Sequence, residues 1–227
     1  MQLFKFLIAV GIICGSQWLT AQETVDLAYF NEIVASGNVD LVLQEGQATK
    51  VELDANGIDD QHIKIHVNEG ILKINTLKSL IRGNDRQVKV IVTYEKLYRV
   101  KAYAGARVIA DGVLTTDKFV IQLNSGAQMD IEVATDNLEV VVSQGSELDI
   151  SGQTNSFELR TSTGGICEAF GLLSDFAYVT SNTGGEAEVF AKKRIEINAR
   201  TGGKVAYKGE PEETKISDSL TGEVERI

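Results

Sequence analysis

Four acidic residues recur at matched positions in the second half of the chain: Asp130, Asp149, Glu168 and Glu188. Each stands four residues after a glycine, namely Gly126, Gly145, Gly164 and Gly184. Carboxylates held in one row would offer hard oxygen ligands, and the cation such a set suits is Ca²⁺. The same row also reads as a solvated acidic face, since carboxylates at strand spacing repel one another and surface charge needs no ligand. A second recurring element, Thr163-Gly164-Gly165, Thr183-Gly184-Gly185 and Thr201-Gly202-Gly203, could present backbone N–H nests to an anion. Its simpler reading is a set of tight corners, where glycine permits positive φ and close approach of neighbouring backbones.

Other reactive side chains are sparse. His62 and His66 would lie roughly 13 Å apart along a strand, too far to share a metal. The segment Asp54-Ala55-Asn56-Gly57-Ile58-Asp59-Asp60 has the look of a calcium loop but lacks the acidic residue that should close it. Cys167 falls on an apolar face, where a thiol packs as a small hydrophobe. No serine–histidine–aspartate pattern, phosphate loop, zinc spacing or dinucleotide fingerprint occurs, so no catalytic or cofactor-binding residue is assigned.

The elements that must position these residues form a repeat. Aligned on glycine, five consecutive units of nineteen residues run 119–137, 138–156, 157–175, 176–194 and 195–213. A looser unit precedes them from Leu97 and a partial one follows from Thr214. The predicted corner glycines are Gly37, Gly105, Gly126, Gly145, Gly164, Gly184, Gly202 and Gly222. A fixed short period means a solenoid whose units bury their apolar sides by stacking.

Period-two alternation predicts which side chains face inward. Before each glycine these are Phe119, Ile121 and Leu123, then Leu138, Val140 and Val142, then Phe157 and Leu159, Phe176 and Tyr178, and Ile195 and Ile197. After it they are Met129 and Ile131, Leu148 and Ile150, Cys167 and Ala169, Ala187 and Val189, and Val205 and Tyr207. Each unit reads as two short strands, a glycine corner and a polar turn such as Thr135-Asp136-Asn137. Phe119, Leu138, Phe157, Phe176 and Ile195 are expected to form one apolar ladder. Nineteen residues are too few for a helical crossover but enough for one coil of a parallel β-helix, and seven coils stacked at strand spacing make a rod roughly 30–35 Å long. The fold class expected is therefore all-β, a parallel β-helix (β-solenoid) with about nineteen residues per coil. The part before Lys96 is β-rich and less regular, with a hairpin turn at Asn68-Glu69-Gly70.

The ends and the charge bound location and partners. The chain opens with Lys5 ahead of an apolar run that closes near Ala21, the pattern of a signal peptide over 1–21. The expected divisions are then 22–96 for the irregular β part and 97–227 for the repeat. No later segment is apolar enough to span a bilayer as a helix, so no integral membrane segment is expected after export. The formal charge is −10, one unit more negative without Lys5, which argues against nucleic acid as a partner.

The residues Phe30, Ile33, Ser36, Gly37, Asp40, Leu41, Leu43, Glu45 and Gly46, the later stretch Asn68-Glu69-Gly70-Ile71-Leu72-Lys73-Ile74, and the repeated strand–Ser/Thr-Gly–strand units together resemble the head GIN domain family of putative autotransporter adhesins, common in Bacteroidetes. The resemblance covers about 29–213 as one continuous domain. It implies a right-handed β-helix-like fold and a periplasmic or cell-surface location, and it brings no catalytic residue. The function expected is an exported, non-enzymatic interaction protein that presents flat faces to cell-envelope protein or glycan. The alternatives are a polysaccharide-processing β-helix enzyme, and a structural envelope subunit that assembles as a homo-oligomer through open β edges. No cofactor is expected beyond the calcium option above.

Overall fold

The computed structural model describes residues 23–54, 63–76, 88–219 and 221–227. The signal-peptide segment, His62 and most of the Asp54–Asp60 loop lie outside the described residues.

The described chain is all β. Its strands are β1 (Glu23–Asp26), β2 (Glu32–Ser36), β3 (Val39–Glu45), β4 (Lys50–Asp54), β5 (Ile63–Asn68), β6 (Ile71–Thr76), β7 (Val88–Tyr94) and β8 (Arg99–Tyr103). They continue as β9 (Arg107–Asn124), β10 (Gln128–Ser143), β11 (Glu147–Ser162), β12 (Ile166–Asn182), β13 (Glu186–Arg200), β14 (Lys204–Lys208), β15 (Glu213–Ser219) and β16 (Glu223–Arg226). From β8 onward every ladder is parallel, and each coil sits on the next. Between β10 and β11 the register steps by nineteen from Gln128↔Glu147 through Ser143↔Ser162, so the period read from the sequence is the lateral repeat of the solenoid.

The polar stretches expected to be turns are not breaks in the ladder. β10 runs continuously through Thr135 and Asn137, which pair laterally with Thr154 and Ser156. In β9 to β13 each coil therefore has one corner at glycine and one bend within a continuous strand, whereas the next coil breaks between β14 and β15, at Gly209. The buried side chains in register at that bend are the hydroxyls of Thr135, Thr154 and Ser174, followed in β13 by Ala191. Thr135 donates to Thr154 at 3.1 Å, and Thr154 also approaches the carbonyl of Ser156 at 3.2 Å. A small group that can donate to nearby carbonyls fits there without leaving a buried polar atom unpaired.

The irregular N-terminal part has an order in space that differs from its order in sequence. The β2/β3 coil, which carries Gly37, lies between the β6/β7 coil on one side and the β8/β9 coil on the other. Beyond β7 come β4 and then β1, both antiparallel, and beyond β6 comes antiparallel β5. The β5–β6 hairpin turns at Glu69 and Gly70, both with positive φ as a tight two-residue connection requires.

The core is a set of columns between the two faces. Phe119, Leu138 and Phe157 stack in register and are fully or almost fully buried, as are Ile121, Val140 and Leu159. Each such side chain contributes roughly 1.5–3 kcal/mol by leaving water. One unit departs from the expected pattern. Gly164 and Gly184 are twenty residues apart, and β12 bulges between Ala169 and Leu173. Phe157 consequently pairs with Ala177, and Leu159 with Val179. Ala177 and Val179 are the buried residues of this rung, whereas Phe176 is half-buried and Tyr178 is 38% exposed. The inward assignment of Phe176 and Tyr178 is thus corrected: one inserted residue exchanges the two faces of a strand, because side chains alternate.

Candidate functional site

Two broad faces and two narrow edges are available for chemistry. On the face formed by the strand after each glycine, Asp130, Asp149, Glu168 and Glu188 occupy directly adjacent rungs. The first three are exposed and Glu188 is half-buried. Ile109 precedes them in the column and Ala206 follows. The neighbouring column carries its own partners: Gln128 donates to Glu147 at 3.0 Å, and Lys204 lies 3.4 Å from Glu186. Among the described residues no three His, Cys, Asp or Glu side chains converge in a way that could hold a metal ion. Beneath this ribbon lies Cys167, wholly buried, its thiol pushed far up by burial and further by Asp149, Glu168 and Glu188. A thiol held protonated and out of solvent is not a nucleophile.

At the glycine edge, Gly37, Gly105, Gly126, Gly145, Gly164, Gly184 and Gly202 have positive φ. Gly222 does not; Thr221 before it holds φ 68 instead, and Gly222 aligns with the second glycine of the preceding corner, Gly203. The Thr163-Gly164-Gly165 corner shows how the motif works. Thr163 and Gly164 both take left-handed conformations, at φ 51 and 72. Gly165 does not, but a Cβ on it would lie 2.3 Å from the Val142 carbonyl oxygen of the coil below. Several corner amides are already committed. Gly145 N–H donates to the Thr163 carbonyl at 3.2 Å, Gly184 N–H to Thr201 at 3.3 Å, and Gly185 N–H to Asn182 at 3.0 Å. Those donors serve coil-to-coil contact and turn closure.

Along the opposite edge, where the strands bend, runs an open groove of about 950 Å³. Thr115, Ala134, Gln153 and Leu173 follow one another in register along it. Asp136, Asn155 and Asp175 also line it, with Glu45 and Glu95 among the remaining acids and Lys96 and Lys192 among the bases. Leu173 is 56% exposed. Asp175 is held below the usual carboxylate range by its 2.6 Å hydrogen bond from Lys193.

The second broad face carries mixed charge, arranged mostly as pairs. Glu139 meets Lys118 at 2.6 Å, and Glu158 meets Arg160 on its own strand. Glu196 is bonded by Lys215 and approached by Arg194 at 3.4 Å, and Arg194 also reaches Glu213 at 2.9 Å. The Lys215 hydrogen bond holds Glu196 below the usual carboxylate range. Tyr178 stands in a shallow depression of about 370 Å³ within this face, in register with Glu158 on one side and Glu196 on the other. Sequence reasoning missed this outward tyrosine. Its signal was the twenty-residue interval between Gly164 and Gly184. Of the two histidines, His66 is an exposed residue of β5.

With this geometry in hand, the chain can be set beside known proteins. The family model described as "Putative auto-transporter adhesin, head GIN domain" matches residues 29–211. No curated protein sequence matches the chain. Solved structures of similar shape include the crystal structure of a putative adhesin from Bacteroides fragilis NCTC 9343, with a TM-score of 0.82 at 20% identity over 91% of this chain and 96% of that one. Putative adhesins from Parabacteroides merdae ATCC 43184 (TM-score 0.71, 17% identity, 91% and 95% covered) and Parabacteroides distasonis ATCC 8503 (0.68, 21%, 91% and 96%) share the shape as well. At these identities the likeness is one of fold.

Proposed function

We propose, on the premise that the chain belongs to the family of putative auto-transporter adhesins with a head GIN domain, that it is an exported, non-enzymatic binding protein whose outer faces hold cell-envelope protein or glycan. The observation that carries this reading is the parallel stacking of β9 to β13, each strand paired to the next along most of its length on both sides of its bulges, which turns outward side chains into rows spaced at the strand repeat of roughly 4.8 Å. Rows of that kind suit an extended or repetitive ligand, held by many weak contacts instead of one deep pocket. The family is described by adhesion and not by a reaction, which supports a binding role. The leader pattern around Lys5 and Ala21 supports export.

The test is capture of envelope components and immobilised glycans by the purified chain, alongside an assay for polysaccharide cleavage. Retention without product release is the expected result. Turnover of any polysaccharide, or location of the chain in the cytoplasm on cell fractionation, would overturn the proposal.

One observation favours a second reading, self-association. β15 pairs with β13 on one side only among the described residues. Its Ile216 is 42% exposed, although its register partner Ile197 is 1% exposed. A strand edge of this kind accepts another strand. Sedimentation decides: a monomer at all concentrations removes this reading.

A further inference from the structure

We infer that Tyr178 is the stacking platform of a saccharide site on the second broad face, one that takes a neutral pyranose. The inference rests on the adhesion reading above and specifies its ligand class.

Three observations meet at this residue. First, the bulge in β12 turns Tyr178 outward in the middle of a rigid parallel ladder, flanked at strand spacing by Glu158 and Glu196. Second, three other outward rings are each covered by a cation, and the exposed Tyr29 lies outside the strands, ahead of β2. The Arg99 guanidinium lies 5.1 Å from the centre of Tyr98, the Lys193 ammonium 5.6 Å from Phe176, and the Lys208 ammonium 4.0 Å from Phe170. Tyr178 has no such cover among the described residues. Third, the groups around it are already paired: Arg160 with Glu158, and Lys215 with Glu196. Asn198 of β13, in register with Thr180 of β12, also lines the depression, with its Oδ1 buried and without a hydrogen-bond partner.

The chemistry of the occupant follows from these groups. Two carboxylates and two cations leave the lining without net charge, in a protein whose formal charge is −10. Neither a polyanion nor a basic peptide is favoured by such a surface. An open aromatic face attracts weakly positive hydrogens. The C–H face of a pyranose supplies these, while its hydroxyls can donate to a carboxylate and accept from a guanidinium, ammonium or amide. The paired charges hold these groups in place beforehand, so little ordering cost falls on binding. A single ring in a shallow depression gives a weak site, and a polymer touching several rungs or several copies would gain by effective concentration.

The test uses the full chain, as wild type, Tyr178→Ala and Tyr178→Phe, on an array of neutral oligosaccharides (cello-, chito-, manno- and xylo-pentaose) with sialylated sugars as acidic comparators. At least one neutral pentaose should be retained by the wild type. Tyr178→Ala should weaken it roughly tenfold or more, and Tyr178→Phe, which keeps the ring, much less. The unfolding midpoint of each variant checks that the fold is unchanged. No retention of any neutral pentaose, or equal retention by Tyr178→Ala, would overturn the site. If the wild type still captures envelope protein in that case, the adhesion reading stands without this site; if it captures nothing, both fall.

Discussion

Phe157 and Ala177 stand side by side on neighbouring rungs, an aromatic ring against a single methyl, and both are entirely buried. Ile195 follows Ala177 in the same column. Ala177 is thus a small residue between two large ones, whereas Phe119, Leu138 and Phe157 pack large against large. Phe157→Ala should cost about 3–5 kcal/mol, the range for emptying an aromatic site in a core. Ala177→Phe should cost roughly 1–3 kcal/mol by overpacking. Because the two touch, the exchange of both should cost less than the sum, by about 0.5–3 kcal/mol. Urea unfolding of the four proteins measures the cycle, and strict additivity would contradict the side-by-side placement.

The two glycines of one corner should respond differently to a methyl group. A Cβ on Gly164 would meet nothing within 4 Å, and the substitution suffers only from φ +72. A Cβ on Gly165 would strike the Val142 carbonyl carbon and oxygen, which are backbone atoms of the next coil. Gly164→Ala is therefore expected to cost roughly 1 kcal/mol, and Gly165→Ala clearly more, with loss of the local ladder. The residue before them offers the opposite effect. Thr163 is β-branched and held at φ 51, where such side chains are strained. Thr163→Asn should raise stability by about 0.5–1 kcal/mol, or roughly 1–4 °C in Tm for a chain of this size. A thermal melt that ranks Gly164→Ala below Gly165→Ala would refute the close-approach argument.

Cys167 should be silent towards thiol reagents until the protein unfolds. Burial raises its pKa above the ordinary value of 9.0 in the folded state, so above pH 9 the unfolded chain holds fewer protons than the folded one. Stability then falls with rising pH, by up to roughly 1.4 kcal/mol per pH unit from this group alone. Cys167→Ala removes that contribution. The difference in stability between the wild type and Cys167→Ala should be flat below pH 9 and shift against the wild type above it. Labelling of the Cys167 peptide at the same rate as a free thiol in native buffer would contradict the burial.

Asp149 has like charge on both sides, Asp130 on one strand and Glu168 on the other. Opposed like charges on adjacent strands destabilise, so Asp149→Asn should stabilise the fold by about 0.2–1 kcal/mol at low ionic strength. The gain should vanish near 1 M salt, where the Debye length is about 3 Å. Calcium and magnesium should act on the wild type as screening ions of equal strength. A calcium-selective rise in Tm, lost in Asp149→Asn, would instead make the ribbon a cation strip.

Much of this was legible because a period of nineteen leaves few options. Leu138 and Phe157 are related by sequence spacing alone, and the ladder puts them in contact. The acidic row was legible for the same reason, since Asp130, Asp149, Glu168 and Glu188 keep their distance from the corner glycines even where the coil length changes. The placing of the β2/β3 coil was not legible. Its glycine and alternation mark it as a coil, but nothing local says that the later β6/β7 coil will stack outside it. That choice depends on which exposed backbone edge is free when the strand arrives.

The sequence by itself determined the all-β solenoid, its period, its inward columns over most coils and its acidic exterior, because alternation and repetition are properties of neighbours along the chain. Only the tertiary structure decided that Tyr178 faces solvent while Ala177 enters the core, that the polar bends stay within continuous strands, and that the first coil lies inside the stack. The physical reason is that a bulge is absorbed between strands: where it falls depends on which hydrogen bonds the neighbouring coil can still make, and a shift of one residue turns every side chain beyond it to the other face.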